Sequence, residues 1–122
     1  MEPLRDDQTI RSDRALTGVF ALLGKRWTGL IVAALLKRPA RFAEIARAIP
    51  EITGGMLSAR LAELKEAGLV EREVRGGPPI SSVYRLTRSG EALRPALLAL
   101  GKWADTYLMG TGSPRAQGPE RA

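Results

Sequence analysis

In the first half of the chain, apolar residues recur at the spacing of an α-helix. Four successive groups predict four helices. In chain order, the groups are Leu16, Val19, Phe20 and Leu23; Trp27, Leu30, Ile31, Ala34 and Leu35; Phe42, Ile45, Ala46 and Ile49; and Leu57, Leu61 and Leu64. Gly24 is placed to end the first helix in a left-handed cap, Pro39 ends the second, and the third must end before Pro50. The Thr53 hydroxyl can cap the fourth helix, and Gly68 suits the position after it.

Beyond Gly68 the period changes from the helical value to two, as in β-strands. Residues 70–75 and then Ser82–Leu86 alternate in character, and the turn-forming run Gly-Gly-Pro-Pro separates them. This pattern predicts a β-hairpin with a long, proline-containing tip, the alternative being an ordinary β-turn connection. Thr87 can cap a final helix, which Pro95 should kink or interrupt.

The predicted order is four helices, a hairpin and a helix, so the expected fold is mainly α with a small β-hairpin. Only residues 50–52 join the third and fourth helices, each of which has a single apolar face, so the two must cross over one core. This is a helix-turn-helix arrangement, and a hairpin directly after it is a wing. We expect a winged helix-turn-helix domain at residues 14–109, between a disordered arm at 1–13 and a disordered tail at 110–122.

The fourth helix has an unusual side opposite its leucines. At ~100° per residue, the side expected to face outward consists of small or uncharged residues. They are Gly55, Met56, Ser58, Ala59 and Ala62. A solvated helix face more often has Glu, Lys and Gln, and glycines such as Gly54 and Gly55 cost about 1 kcal/mol each relative to alanine. Close approach of the backbone to a phosphate or a base edge would offset that cost, whereas a frayed helix start is the alternative.

Composition excludes several kinds of chemistry. The 122 residues include no cysteine and no histidine, which removes thiol chemistry, disulfides, serine–histidine triads and most zinc or copper sites. We therefore expect no enzyme, no metal and no cofactor. The net charge of +6 favours an anionic partner such as nucleic acid, although the basic residues are spread along the chain. The longest apolar run, Leu30–Leu36, is too short for a membrane span, and the start does not resemble a signal peptide, so we expect a cytoplasmic protein.

Short motifs run from the first glycine–lysine pair to the second tryptophan. They are Gly24–Trp27, Arg41–Phe42, Glu44–Ile45, Leu57–Leu61, Leu64, Ala67–Val70, Arg72, Pro78–Pro79, Tyr84–Thr87, Gly90 and Trp103. Together they resemble the HxlR family of bacterial winged-helix transcription regulators. The pieces from Leu64 to Val70 and from Tyr84 to Thr87 also resemble MarR-like and PadR-like regulators. The motifs that narrow the resemblance to HxlR are Gly24–Trp27, Arg41–Phe42, Leu57–Leu61 and Pro78–Pro79. The resemblance implies a homodimer on a pseudo-palindromic operator, with the fourth helix in the major groove, the hairpin as wing, and dimerisation through the first and last helices.

Candidate DNA contacts lie on the third and fourth helices and the hairpin. They are Arg41, Thr53, Gly54, Gly55, Met56, Ser58, Ala59, Arg60, Arg75, Ser81 and Ser82. Arg41 is placed to reach a backbone phosphate, the alternative being a solvated charge. Ser58 and Ala59 are placed to meet base edges, but serine bonds any base, so the operator sequence does not follow. Arg60 either reaches DNA or pairs internally with Glu63 or Glu44.

Candidate dimer contacts lie on the first and last helices. They are Leu16, Phe20, Leu97, Leu100, Trp103 and Tyr107. A domain of about 95 residues has a thin core, and the last helix has more apolar surface than one core can use. The alternative is that this helix folds back over its own domain.

The expected function is sequence-specific DNA binding by a dimeric repressor or activator. The alternative is a winged-helix module for protein–protein assembly. Many members of the family that the chain resembles have a cysteine near the position of Arg14, and in some it senses oxidants or aldehydes. This chain has none, so the resemblance does not extend to cysteine redox regulation. A small apolar or aromatic effector at the dimer interface stays open, although no residue requires one.

Overall fold

A computed structural model of the protein describes Arg11 and residues 13–110. Within them the helices are α1 (Arg14–Leu23), α2 (Thr28–Lys37), α3 (Phe42–Ala48), α4 (Gly54–Glu66), α5 (Arg88–Glu91) and α6 (Arg94–Tyr107), and the strands are β1 (Val70–Arg75) and β2 (Ser81–Leu86). The expected arm and tail lie largely outside the described residues. Asp13, which the sequence assigns to the arm, belongs to the domain, because its carboxylate accepts the backbone N–H of Leu16 at 3.1 Å and caps α1.

The predicted caps of the later helices are confirmed. The Thr53 hydroxyl accepts the backbone N–H of Met56 at 3.1 Å and caps the start of α4. The Thr87 hydroxyl accepts the backbone N–H of Gly90 at 3.3 Å and caps the start of α5. Gly68, just after α4, has a φ of +81°, the left-handed conformation that glycine adopts without strain. The predicted interruption near Pro95 is also present, since α5 ends at Glu91 and Pro95 lies in the first turn of α6.

The predicted left-handed cap at Gly24 is wrong. Gly24 has a φ of −79°, donates its N–H to the Phe20 carbonyl at 2.9 Å and stays in the right-handed region. The left-handed residue of this turn is Trp27, with a φ of 81°. A Cβ atom at Gly24 would collide with the Phe20 carbonyl. Glycine therefore serves close backbone approach at this position, not a positive φ.

The core lies between α2, α3, α4 and the hairpin. Its buried residues are Ile31, Val32, Leu35, Ala40, Ile45, Ile49, Ile52, Leu57, Leu61, Leu64, Val70 and Leu86. The predicted stripe of Leu57, Leu61 and Leu64 is confirmed, with exposed fractions of 0%, 2% and 0%. Burying a leucine side chain stabilises a fold by about 1.5–3 kcal/mol, so this stripe fixes which side of α4 faces inward.

The hairpin is attached to the helix-turn-helix on one side. β1 and β2 pair antiparallel from Val70 opposite Leu86 to Arg75 opposite Ser81. Ala40 forms an isolated bridge to Tyr84 through two backbone hydrogen bonds of 3.0 and 2.8 Å. The part of β2 around Tyr84 is therefore held next to the start of α3, while the tip of the hairpin projects outward. Only Val70 of β1 is buried, since the strand extends past the core.

In the part of the chain that the structure describes, no single helix has both the length and the apolar character of a membrane span. α1 and α2 taken together would meet both criteria, but the pair is bent by 82°. α2 has Thr28, Ile31, Val32 and Leu35 in buried positions, so core packing accounts for much of its apolar character.

Candidate nucleic-acid interface

α4 presents three different sides, because successive residues turn by about 100°. The leucines face the core. Gly55, Ser58, Ala59 and Ala62 are exposed on the sides turned away from the leucines, and Gly54 is exposed at the start of the helix. A Cβ atom built at Gly54 or Gly55 meets no atom within 4 Å, so the packing of the domain requires neither glycine. The helix start is hydrogen-bonded: in addition to the Thr53 cap, the N–H of Leu57 donates to the Thr53 carbonyl at 2.9 Å.

Met56 does not lie on the exposed side, which corrects the sequence expectation. It is half-buried and packs against the core cluster. Its position in the helix is four residues before Arg60 and seven before Glu63, so these three side chains share one lateral edge of α4. Met56 lies about 100° from Leu57 around the helix, and its long, flexible thioether side chain reaches the core from there.

Arg60 is bound inside the domain. Its Nη1 lies 3.1 Å from both carboxylate oxygens of Glu63, and its Nε donates to the carbonyl oxygen of Arg26 at 3.2 Å. Lys25 Nζ lies 3.4 Å from Glu63 Oε1. We call these four groups the Arg60 tether, because they join α4 to the turn between α1 and α2. Of the internal partners that the sequence left open, Glu63 is therefore the one that Arg60 contacts.

Glu44, the other internal partner considered for Arg60, has a different role. Its Oε1 accepts the backbone N–H of Arg41 at 2.8 Å, and its Oε2 lies 3.5 Å from Nη2 of Arg38. The hydrogen bond from Arg41 holds the pKa of Glu44 below its usual value, and Arg38 lowers it further. The Glu44 carboxylate therefore caps the N-terminus of α3.

The guanidinium of Arg41 is available at the start of the helix pair. The side chain is exposed at the N-cap of α3, and within residues 13–110 no carboxylate forms an ion pair with it. Thr53, the cap of α4, is also exposed. Both helices of the motif therefore begin at the surface, where an anion has access to them.

On the hairpin, Glu73 is shared by two arginines. Its Oε1 lies 2.9 Å from Nη2 of Arg85 and 3.6 Å from Nη2 of Arg75. The hydrogen bond from Arg85 is the main cause of the lowered pKa of Glu73, and the charge of Arg75 adds to it. Two cations with one anion leave an excess of positive charge beside Ser81, which pairs with Arg75 across the hairpin. Ser82 differs, since its Oγ accepts Nε of Arg72 at 3.1 Å.

The candidate dimer residues lie together on one uncovered surface. No residue of α1 or α6 is buried, although both helices are rich in apolar side chains. Leu16, Phe20, Leu100, Trp103 and Tyr107 are each more than half exposed, and Leu97 is half-buried. α1 and α6 line an apolar groove of about 780 Å³. The start of the last helix packs on its own domain, since Leu97 contacts the core cluster and Nη2 of Arg94 donates to the carbonyl oxygen of Leu36 at 3.0 Å, but much of the helix's apolar side is uncovered.

Within the described residues, no three His, Cys, Asp or Glu side chains come together in a group that could hold a metal ion. Besides carboxylates such as Glu66, Glu71 and Glu73, the exposed surfaces present guanidinium and ammonium groups, hydroxyls, backbone N–H groups and apolar side chains. These groups suit binding to an anionic polymer and to apolar surface.

Comparison with known proteins agrees with this fold. Residues 22–111 match the family model described as HxlR-like helix-turn-helix. The HTH-type transcriptional regulator YodB of Bacillus subtilis is 42% identical over 92 residues, which are 75% of this chain and 82% of YodB. The reduced form of YodB superposes with a TM-score of 0.72 at 40% identity, over 80% of this chain and 96% of that one. The redox regulator HypR in its oxidised form superposes with a TM-score of 0.72 at 31% identity, over 76% of this chain and 96% of that one. The chain therefore belongs to the HxlR family of helix-turn-helix transcriptional regulators, which are DNA-binding proteins and not enzymes.

Proposed function

We propose that the protein binds a specific pseudo-palindromic operator as a homodimer, with α4 of each subunit in the major groove and the hairpin as wing. The observation that supports this most strongly is the contrast between the two sides of α4. The leucine side is buried, and the side of Gly55, Ser58 and Ala59 is exposed. Such an operator-binding regulator would work in the cytoplasm, where a prokaryotic chromosome lies.

The small side chains of α4 suit a groove. The major groove of B-form DNA is about 12 Å wide and admits one α-helix, whose backbone comes closer to the bases when its side chains are short. Ser58 can bond a base edge and the methyl group of Ala59 can contact thymine. Arg41 and Arg75 lie on the two flanking elements, where phosphate contacts would fix the position of α4 without reading sequence.

The exposed apolar surface of α1 and α6 supports a dimer. A contiguous apolar groove of this kind is typical of an interaction surface, and a second copy of the chain would cover it with matching apolar residues. A twofold dimer presents two copies of α4, as a pseudo-palindrome with half-sites about 34 Å apart requires.

The signal to which the protein responds differs from that of a thiol-based regulator. YodB is known in reduced, quinone-bound and diamide-treated forms, and HypR is described as a redox regulator. The present chain has no cysteine, so thiol oxidation does not regulate it. The groove between α1 and α6 suits a small apolar or aromatic effector, since it is lined mainly by aliphatic and aromatic side chains.

Selection of genomic DNA fragments with the purified full chain tests the proposal. We expect enrichment of inverted repeats whose half-site centres are separated by about one helical turn. Fragments enriched no better than bulk DNA at physiological salt would contradict it and would favour the assembly-module alternative. The exposed side of α4 disfavours that alternative, because an assembly surface usually has large apolar or aromatic anchors.

A further inference from the structure

A second cleft lies between α4 and the hairpin, on the edge of α4 opposite the Arg60 tether. It has a volume of about 390 Å³. Lys65 and Ser58 line it from α4, and Arg72 and Tyr84 line it from the hairpin. Ser58 and Lys65 are seven residues apart, or about two helical turns, and so share one edge. Arg72 and Tyr84 are directly opposite each other in the hairpin register and so share one face.

The basic groups of this cleft are not neutralised by acids. Within residues 13–110, neither Lys65 nor Arg72 forms an ion pair, whereas Arg60, Arg85 and Arg94 each do. The hydroxyl of Ser82 holds Nε of Arg72 at 3.1 Å, which orients the guanidinium while leaving its two Nη groups unused.

Glu66 is the acidic residue that lines the cleft, and it opposes the binding of an anion there. Two cations against one carboxylate still leave a positive excess. Serine and tyrosine side chains are also common partners of phosphate oxygens in protein–DNA complexes. The chemistry of the cleft therefore fits one phosphodiester group better than a cation or an apolar ligand.

We propose that this cleft binds a backbone phosphate of the DNA strand that passes between α4 and the wing, with Arg72 and Lys65 as its main contacts. The inference depends on the docking under "Proposed function". Adjacent grooves of a duplex are separated by a single sugar–phosphate strand. A helix in the major groove and a wing reaching the next groove must have that strand between them, and the cleft is the space between these two elements.

Two neutral variants and one matched control test the proposal on the full chain. Arg72→Gln and Lys65→Gln should each weaken binding to the selected operator and to unrelated duplex by similar factors, roughly tenfold. Each should also reduce the slope of log affinity against log salt by about one. Arg72→Lys, which retains the charge, should keep the slope. Arg94→Gln is the control and should keep the wild-type slope, because it removes a positive charge at the start of α6, where Arg94 pairs with Glu91 and does not line this cleft.

A phosphate scan of the operator locates the contact. Replacing one phosphate at a time by an uncharged methylphosphonate should weaken wild-type binding at one position in each half-site, flanking the bases under α4. Arg72→Gln should be less sensitive at that same position, because one of the two main contacts of this phosphate is already lost. Wild-type salt slopes in Arg72→Gln and Lys65→Gln, with normal operator selection by the wild-type chain, would overturn the cleft proposal alone. Failure of the wild-type chain to bind any duplex would overturn the proposed function as well.

Discussion

Nε of Arg60 donates a hydrogen bond of 3.2 Å to the carbonyl oxygen of Arg26, 34 positions earlier in the chain. The same arginine binds both carboxylate oxygens of Glu63, one turn along α4. The helix assigned to the major groove is therefore joined, along one edge, to the turn that follows α1. Since α1 contributes to the proposed dimer surface, the tether connects the two surfaces on which operator binding depends.

Replacing Arg60 tests whether it supports α4 or contacts DNA. Arg60→Ala should lower the free energy of unfolding by about 1–3 kcal/mol, because it removes bonds to a charged group. It should weaken operator binding while leaving the salt slope unchanged, since no phosphate contact is lost. A slope reduced by about one would contradict this and identify Arg60 as a phosphate contact. Glu63→Gln, which keeps an acceptor for Arg60, should cause a smaller loss of stability.

Gly55→Ala separates folding from binding. A Cβ atom at this position meets nothing in the domain, so the helix should gain up to about 1 kcal/mol in unfolding free energy. DNA affinity should fall, because the added methyl group prevents the closest approach of the backbone. Equal affinity in the more stable variant would mean that Gly55 has no role at the duplex. Gly68→Ala is the contrast: its φ of +81° should make the substitution destabilising, by about 1 kcal/mol.

The proposed dimer surface predicts a change in oligomeric state. Leu100→Glu places a charge in the groove between α1 and α6 and should convert a dimer into a monomer in sedimentation equilibrium. Affinity for a two-half-site operator should fall with it, because the second half-site no longer adds to binding. Leu30→Glu is the control, since Leu30 is 56% exposed, close to the 57% of Leu100, but does not line this groove. Identical mass distributions for wild type and Leu100→Glu would show that this surface does not form the dimer interface.

The N-terminal cap of α3 predicts a specific dependence on pH. The pKa of Glu44 is lowered in the folded state by the N–H of Arg41, so its ionised form stabilises the fold. That stabilisation is fully present above the pKa of the unfolded chain and is lost as the pH falls through the lower pKa of the folded state. Glu44→Gln should therefore show a weaker acid dependence of unfolding than wild type below about pH 5. Chemical denaturation across this pH range measures the difference, and parallel curves for the two proteins would refute the cap.

Local sequence signals predicted much of the fold because they act over short distances. Thr53, Gly68 and Thr87 each cap or end a helix through atoms a few residues away, and the buried Leu57 stripe follows from helical period alone. The sequence predicted the positive φ of the first turn at the wrong residue. Glycine is the usual left-handed residue after a helix, which favoured Gly24, but the residue with a positive φ is Trp27.

The surfaces of α4 could be predicted only in part. The small-residue side follows from geometry, but Met56 lies at the edge of the apolar stripe, where a small rotation decides between core and solvent. The i,i+3 spacing suggested the pair of Arg60 and Glu63. The Arg26 carbonyl has no such signal, since a backbone acceptor 34 residues away becomes a neighbour only through tertiary folding. Lys65 and Arg72, which form no ion pair within residues 13–110, likewise line one cleft only because the hairpin packs beside α4.

The most direct measurement is the base preference selected by α4 variants from a random duplex library. Ser58→Gln and Ala59→Gln should each change the preferred base at one or two positions per half-site, because longer side chains reach different base edges. Arg41→Ala should lower affinity for all sequences and leave the preference unchanged. If both α4 variants select the same half-site as the wild-type chain, the exposed side of α4 does not read the major groove.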